Sequence, residues 1–178
     1  MKDFSEGLCP SLSYIGEHMK LPENDYQILK LTPLFYEKYL KPSHKEILQK
    51  QNRAYNCLLF QTHYDYFIAV PYRSEITHKY AYHFKFSKRS REHKSGLDYT
   101  KILILDKTEY LDTKDAIIDN DEYNETIRNF EIIKKEVLLY VEDYIHHVKG
   151  KKKLHNTEFE RRYRYSTLKY FHRELKLP

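Results

Sequence analysis

Residues 68–86 read I-A-V-P-Y-R-S-E-I-T-H-K-Y-A-Y-H-F-K-F. Residues 87–97 continue S-K-R-S-R-E-H-K-S-G-L, and residues 98–105 close with D-Y-T-K-I-L-I-L. Three apolar or alternating runs are separated by two polar, cationic insertions. From Lys79 to Phe86 the alternation is strict: Tyr80, Tyr82, Phe84 and Phe86 share one face, and Lys79, Ala81, His83 and Lys85 the other. That period of two predicts a strand. Tyr99–Leu105 is apolar on both faces over much of its length, which predicts a central strand.

Working outward, Tyr26–Leu31 alternates and predicts a strand. Residues 1–25 carry no confident element. Thr32-Pro33 opens a short helix, with Thr as N-cap and Pro at the first helical position. A second helical piece is expected from Pro42 to Gln51. Arg53–Gln61 and Tyr66–Val70 form a hairpin around a turn at Thr62–Asp65, and Pro71 ends its second strand by removing a ladder donor. Thr108–Ile118 reads as a short strand or turn. A stripe of Ile127, Phe130, Lys134, Val137, Leu138, Val141, Ile145 and Val148 predicts one long helix over about 121–148, with Gly150 at its end. Thr157-x-x-Glu160 is a capping-box pattern that opens a last helix to about Leu175. Strands early and helices late predict an α+β fold around an antiparallel sheet, as one domain over 1–178.

The chain is highly charged, with mean hydropathy -0.81, and has no apolar run of about 18 residues for a membrane span. The N-terminus lacks the continuous apolar segment of a signal peptide. Cys9 and Cys57 lie far apart without a C-x-x-C motif, so they predict neither a disulfide framework nor a zinc site and fit a reducing cytoplasm. Between Lys79 and Lys101 there are seven lysines and arginines against two acids, an excess equal to the +5 of the entire chain. Such a concentration binds phosphates by releasing counterions, although a charge run taken alone is also an ordinary solvated surface. Eighteen tyrosines add flat faces suited to cores and to base stacking alike.

The motifs of zincins, P-loops, dinucleotide folds and serine hydrolases are absent. Acids do not cluster where the bases are, which argues against a two-metal nuclease. What the chain offers is Arg73-Ser74 and His78-Lys79 on a turn after a strand. RNA is cut without a metal when its own 2′-hydroxyl attacks the adjacent phosphorus. Histidine suits the proton transfer, and arginine and lysine the phosphorane charge. Ser74 is placed to bond a phosphate oxygen or position the 2′-hydroxyl, and no acidic orienter is evident beside it in sequence. Ser95, Gly96, Tyr99 and Lys101 read either as a phosphate-holding turn with a stacking tyrosine or as a plain structural turn. Lys151–Lys153 with Arg161, Arg162 and Arg164, interleaved with Tyr163 and Tyr165, form a second basic surface.

Three blocks carry a resemblance: R-A-Y at 53–55, I-A-V-P-Y-R-S-E-I-T-H-K-Y-A-Y at 68–82 and K-S-G-L-D-Y-T-K-I-L-I-L at 94–105. Together they resemble the ToxN/AbiQ family of type III toxin–antitoxin endoribonucleases, nearest its CptN/TenpN and AbiQ-like branches. The resemblance implies a compact, twisted antiparallel sheet or barrel of the Kid/MazF type with added helices, including a long C-terminal pair. It implies metal-independent RNA cleavage to a 2′,3′-cyclic phosphate, with no cofactor, in plasmid maintenance or phage abortive infection. Cellular or phage mRNA is the implied substrate. The implied partner is a small repetitive RNA antitoxin, cut by the toxin into pseudoknot units that inhibit it in a closed protein–RNA assembly; a monomer stays open in the absence of RNA. Arg73, Ser74, His78 and Lys79 become the catalytic candidates. Arg53, Tyr55, Lys85, Lys88, Arg89, Arg91, Lys94, Ser95, Gly96, Tyr99 and Lys101 become RNA-binding ones. Arg precedes Ser74 and Glu75 follows it, where ToxN has proline and lysine, so Lys79 and Lys101 both stand as the catalytic lysine. The competing class is a non-catalytic single-stranded RNA-binding protein using the same basic groove.

Overall fold

β3 (Phe67–Arg73) is the strand on which the molecule is built. Ile68, Ala69 and Val70 are fully buried, because β3 is hydrogen-bonded on both edges and covered on both faces. The structure, a computed structural model, describes residues 26–47, 56–62, 66–112 and 116–178. On one edge β3 pairs with β2 (Cys57–Gln61), which pairs with β1 (Tyr26–Leu31), which pairs with the short β7 (Leu111–Asp112). On the other edge it pairs with β5 (Gly96–Asp98) and β6 (Leu103–Leu105), and β5 carries the outer β4 (Ala81–His83). Among the described residues, all seven strands pair antiparallel, and the sheet runs from β4 to β7 without closing into a barrel. The α+β architecture is therefore as expected, with an open sheet.

The two partners on the second edge of β3 are out of step. Ala69 faces Leu103, but Tyr72 faces Leu97, so three residues along β3 match six along its partner. The surplus is a 3-10 turn at Tyr99–Lys101, which replaces the first half of the strand expected over 99–105. Pro71 does not end β3. The strand continues to Arg73, because the Tyr72 N–H still reaches Asn56 O at 2.9 Å and the missing proline donor falls at the step between β6 and β5.

Among the described residues, five α-helices flank the sheet. α1 (Pro33–Tyr39) starts as expected, except that the Thr32 hydroxyl donates to Glu109 O at 2.8 Å and caps no helix amide. Residues 42–47 form turns in place of the expected second helix, and residues 48–51 lie outside the described residues. The turn at 63–65, the lead 1–25, Arg53 and Tyr55 also lie outside them. α2 (Lys88–His93) occupies what reads as a basic loop, and the strand expected over 79–86 shrinks to β4. Ser87 caps α2 by accepting from Ser90 N at 2.8 Å.

The long helix expected from 121 is broken. α3 (Asn120–Arg128) and α4 (Phe130–Val148) meet at Asn129, whose side-chain amide donates to Glu125 O at 2.8 Å and so competes with the helical ladder. α4 buries Phe130, Ile133, Val137, Tyr140, Val141 and Tyr144, while Ile127 of the expected stripe is exposed. Gly150 takes the left-handed φ of 70° anticipated for it. α5 (Asn156–Tyr163) is capped by His155, so the Thr157–Glu160 box goes unused, and the chain ends in a 3-10 turn at Thr167–Tyr170 and further turns.

Candidate active site

Asp98 is the anchor of the site. Its side chain is fully buried at the end of β5. A buried carboxylate needs a partner charge and hydrogen-bond donors, and Asp98 has both. Oδ2 accepts from Arg73 Nη1 in a short ion pair. Oδ1 accepts from Thr100 N at 2.9 Å and Thr100 Oγ1 at 2.7 Å, and lies 3.5 Å from His78 Nε2. Burial would raise this carboxyl, but His78, Thr100 and Arg73 outweigh it and hold it below the usual carboxylate value.

The backbone brings these groups together. Arg73 sits opposite Gly96 and Ala81 opposite Asp98, so β3, β5 and β4 converge within one ladder. Beyond β3, Glu75 N donates to His93 O at 2.6 Å and Ile76 N to Lys94 O at 3.2 Å, tying the 74–76 connector to the 93–95 connector. Glu75 takes a left-handed φ of 59° to make that turn, a strained geometry for a residue with a Cβ. His83 Nε2 donates to His78 O at 2.9 Å and holds the far side of the turn. The close approach also explains Gly96: a Cβ there would lie 2.2 Å from Tyr82 O.

The two connectors singled out in the sequence thus meet at Asp98. Arg73 and His78 contact Asp98, and Ser74 follows Arg73, half-buried. His78 is about a third exposed, yet its Nδ1 is buried without a hydrogen-bond partner. Lys79 is exposed, with Nζ 5.5 Å from the Tyr80 ring centroid. Lys101 is buried at the end of the Tyr99–Lys101 turn; its Nζ donates to Tyr165 O at 2.7 Å. Burial, with Arg73 adding to it against the pull of Asp98, lowers the Lys101 pKa.

The outer candidates divide. Lys85, Lys88, Arg91 and Lys94 are exposed on or beside α2. Ser95, Gly96 and Tyr99 are buried: the Ser95 hydroxyl donates to Glu122, and the Tyr99 hydroxyl to Glu136 at 2.6 Å. Arg89 Nη1 donates to Glu122 Oε2 at 2.8 Å, which turns that cation inward. Glu122 also accepts from Ser87 Oγ at 3.2 Å, and Glu125 accepts from the amides of Lys85 at 3.0 Å and Phe86 at 3.3 Å. These two α3 carboxylates clasp both ends of the α2 segment.

Sequence reasoning missed Asp98 as the acidic orienter, and Glu122 and Glu125 as the clasp. Asp98 was visible as one of two acids in a cationic stretch, but its distance of 25 residues from Arg73 hid the pairing. For Glu122 and Glu125, nothing in a helix of mixed charge distinguishes them. Among the described residues, no three His, Cys, Asp or Glu side chains gather as metal ligands would. No helix among them is long and apolar enough to cross a membrane. Comparison of the chain with protein-family models, curated proteins and solved structures finds no significant match.

Proposed function

We propose that the protein is a metal-independent endoribonuclease, and that the cluster around Asp98 is its active site. The observation that carries this reading is that one buried carboxylate holds both Arg73 and His78 at the junction of the two cationic connectors. A carboxylate paired with a histidine orients the ring, and a fixed guanidinium is preorganised for phosphorane charge. The Nδ1 of His78 is buried and has no hydrogen-bond partner, so it is the ring nitrogen left to accept the ribose hydroxyl proton once RNA binding uncovers it.

In this mechanism His78 takes the proton of the 2′-hydroxyl as its oxygen attacks phosphorus. Arg73, oriented by Asp98, stabilises the charge on the non-bridging oxygens, and Ser74 positions the phosphate. The P–O5′ bond breaks, a lysine protonates the leaving oxygen, and the products are a 2′,3′-cyclic phosphate and a 5′-hydroxyl. That lysine is Lys79 on the outer side of the turn or Lys101 beneath it. The exposed cations Lys85, Lys88, Arg91 and Lys94 hold the flanking strand.

Together with the sequence resemblance, this site supports a toxin of the ToxN/AbiQ type, with a Kid/MazF-like sheet, restrained in the cytoplasm by a repetitive RNA that it processes itself. The test is incubation of the purified protein with total RNA in EDTA. Discrete fragments ending in cyclic phosphate are expected from the wild type and none from His78→Ala. Intact RNA that is merely shifted in a gel overturns the enzyme in favour of a binding protein. Replacing Lys79 and Lys101 singly by Met identifies the proton donor as the one whose loss stops cutting but not binding. Short tandem repeats before a terminator in the DNA just upstream are expected for the antitoxin reading.

A further inference from the structure

Tyr165 is the only exposed tyrosine among the described residues, at 61% of its full surface. A single exposed aromatic is ordinary on any surface. What sets this one apart is its mounting. Its carbonyl accepts from Lys101 Nζ at 2.7 Å. Two residues on, the buried Thr167 hydroxyl donates to Ile102 O and reaches Thr100 O at 3.4 Å. On the other side Tyr163 is buried, with its hydroxyl donating to Tyr140 O at 2.8 Å. Ser166, between them, is fully buried and donates its amide to Tyr163 O at 2.9 Å. The backbone at Tyr165 is therefore fixed against the same 100–102 turn whose Thr100 holds Asp98. The backbone that carries the exposed ring is thus tied to the segment of the Tyr99–Lys101 turn, and the Arg164 guanidinium lies 5.4 Å from the ring centroid.

We propose that Tyr165, with Arg164, is a base-stacking platform that receives an unpaired nucleobase next to the scissile phosphate, so that the site takes single-stranded RNA. The proposal rests on the ribonuclease reading for what lies beside the platform. The reasons are chemical. Every nucleobase has a π-face, an exposed tyrosine offers one at low conformational cost, and a neighbouring guanidinium adds cation–π attraction and phosphate contact. A duplex keeps its bases stacked on one another and leaves the platform empty. Because the ring is mounted by main-chain carbonyls and by its neighbours, removing it leaves the Lys101 hydrogen bond in place.

The experiment uses the full chain and a short single-stranded 2′-O-methyl oligoribonucleotide carrying 2-aminopurine, which lacks the attacking hydroxyl and cannot be cut. Stacking quenches 2-aminopurine fluorescence. Wild type and Tyr165→Phe should bind and quench alike. Tyr165→Ala should lose the quench and bind about 5- to 150-fold more weakly, the range expected for one stacked base, with an unchanged thermal melt. Wild-type affinity and quenching in Tyr165→Ala would overturn the platform, as would a wild type that binds without quenching. Cleavage of the all-ribose strand is scored separately. A wild type that quenches through Tyr165 but cuts nothing keeps the platform and defeats the nuclease.

Discussion

Asp98→Asn is the substitution that tests the site most directly. Asn is nearly isosteric and keeps an oxygen for the Thr100 amide and hydroxyl, which donate at 2.9 and 2.7 Å. It removes the charge that pairs with Arg73, and its NH2 group offers a donor to a donor. Breaking one side of a buried ion pair costs about 3–5 kcal/mol. The Arg73 side chain is 26% exposed and can partly rehydrate, so the low end, about 3 kcal/mol, is expected at pH 7. For a chain of this size that lowers Tm by about 6–12 °C. Urea denaturation should show the loss as a lower midpoint with an unchanged slope. Replacing both partners, Asp98→Asn with Arg73→Met, should recover much of it, because no unpaired charge remains. The pH dependence has a defined sign. The Asp98 carboxyl is held below its ordinary value, so its stabilisation is complete above about pH 4 and fades only as pH falls through the depressed folded-state value. The gap between wild type and Asp98→Asn should therefore be flat from neutral pH to about pH 5 and close in stronger acid. A loss under about 0.5 kcal/mol, or a gap that closes near neutrality, would refute Asp98 as an ionised anchor.

Gly96→Ala should destabilise by about 3 kcal/mol, since its Cβ would fall 2.2 Å from the Tyr82 carbonyl oxygen and β4 would have to part from β5; a Tm within a degree of wild type would contradict that contact. Glu125→Ala removes the acceptor of two backbone amides at 3.0 and 3.3 Å and should lower stability by about 1–2 kcal/mol. Amide exchange should quicken at Lys85 and Phe86 while β2 and β3 stay protected, and uniform acceleration would count against a local clasp. Replacing Lys85, Lys88, Arg91 and Lys94 together by Gln should reduce the log–log salt slope of single-stranded RNA binding by about 3. An unchanged slope would move the RNA to another face.

Much of the scaffold is legible in residues 26–31, 57–61, 67–70 and 103–105, because alternation and apolar runs report burial directly, and burial is what a strand's own side chains decide. The meeting of the 72–79 and 85–101 connectors is also foreshadowed, since both are cationic insertions between strands of one sheet. Other features depend on partners far along the chain. The alternation of 79–86 argues for a long strand, but only 81–83 find an edge to pair with. The amides of Lys85 and Phe86 go to Glu125. The run 88–93 has the charge of a loop but becomes a helix once Ser87 caps it and Glu122 receives Arg89 and Ser95. By itself the amino-acid sequence determined where the cations and histidines cluster and which strands would be buried, since those follow from side-chain chemistry and local period. Only the tertiary structure decided that Asp98 would orient Arg73 and His78, that Ser95 and Tyr99 would turn inward, and that Tyr165 would stand beside Lys101. Each of those depends on a register slip or a helix break that sets distances between residues far apart in the chain.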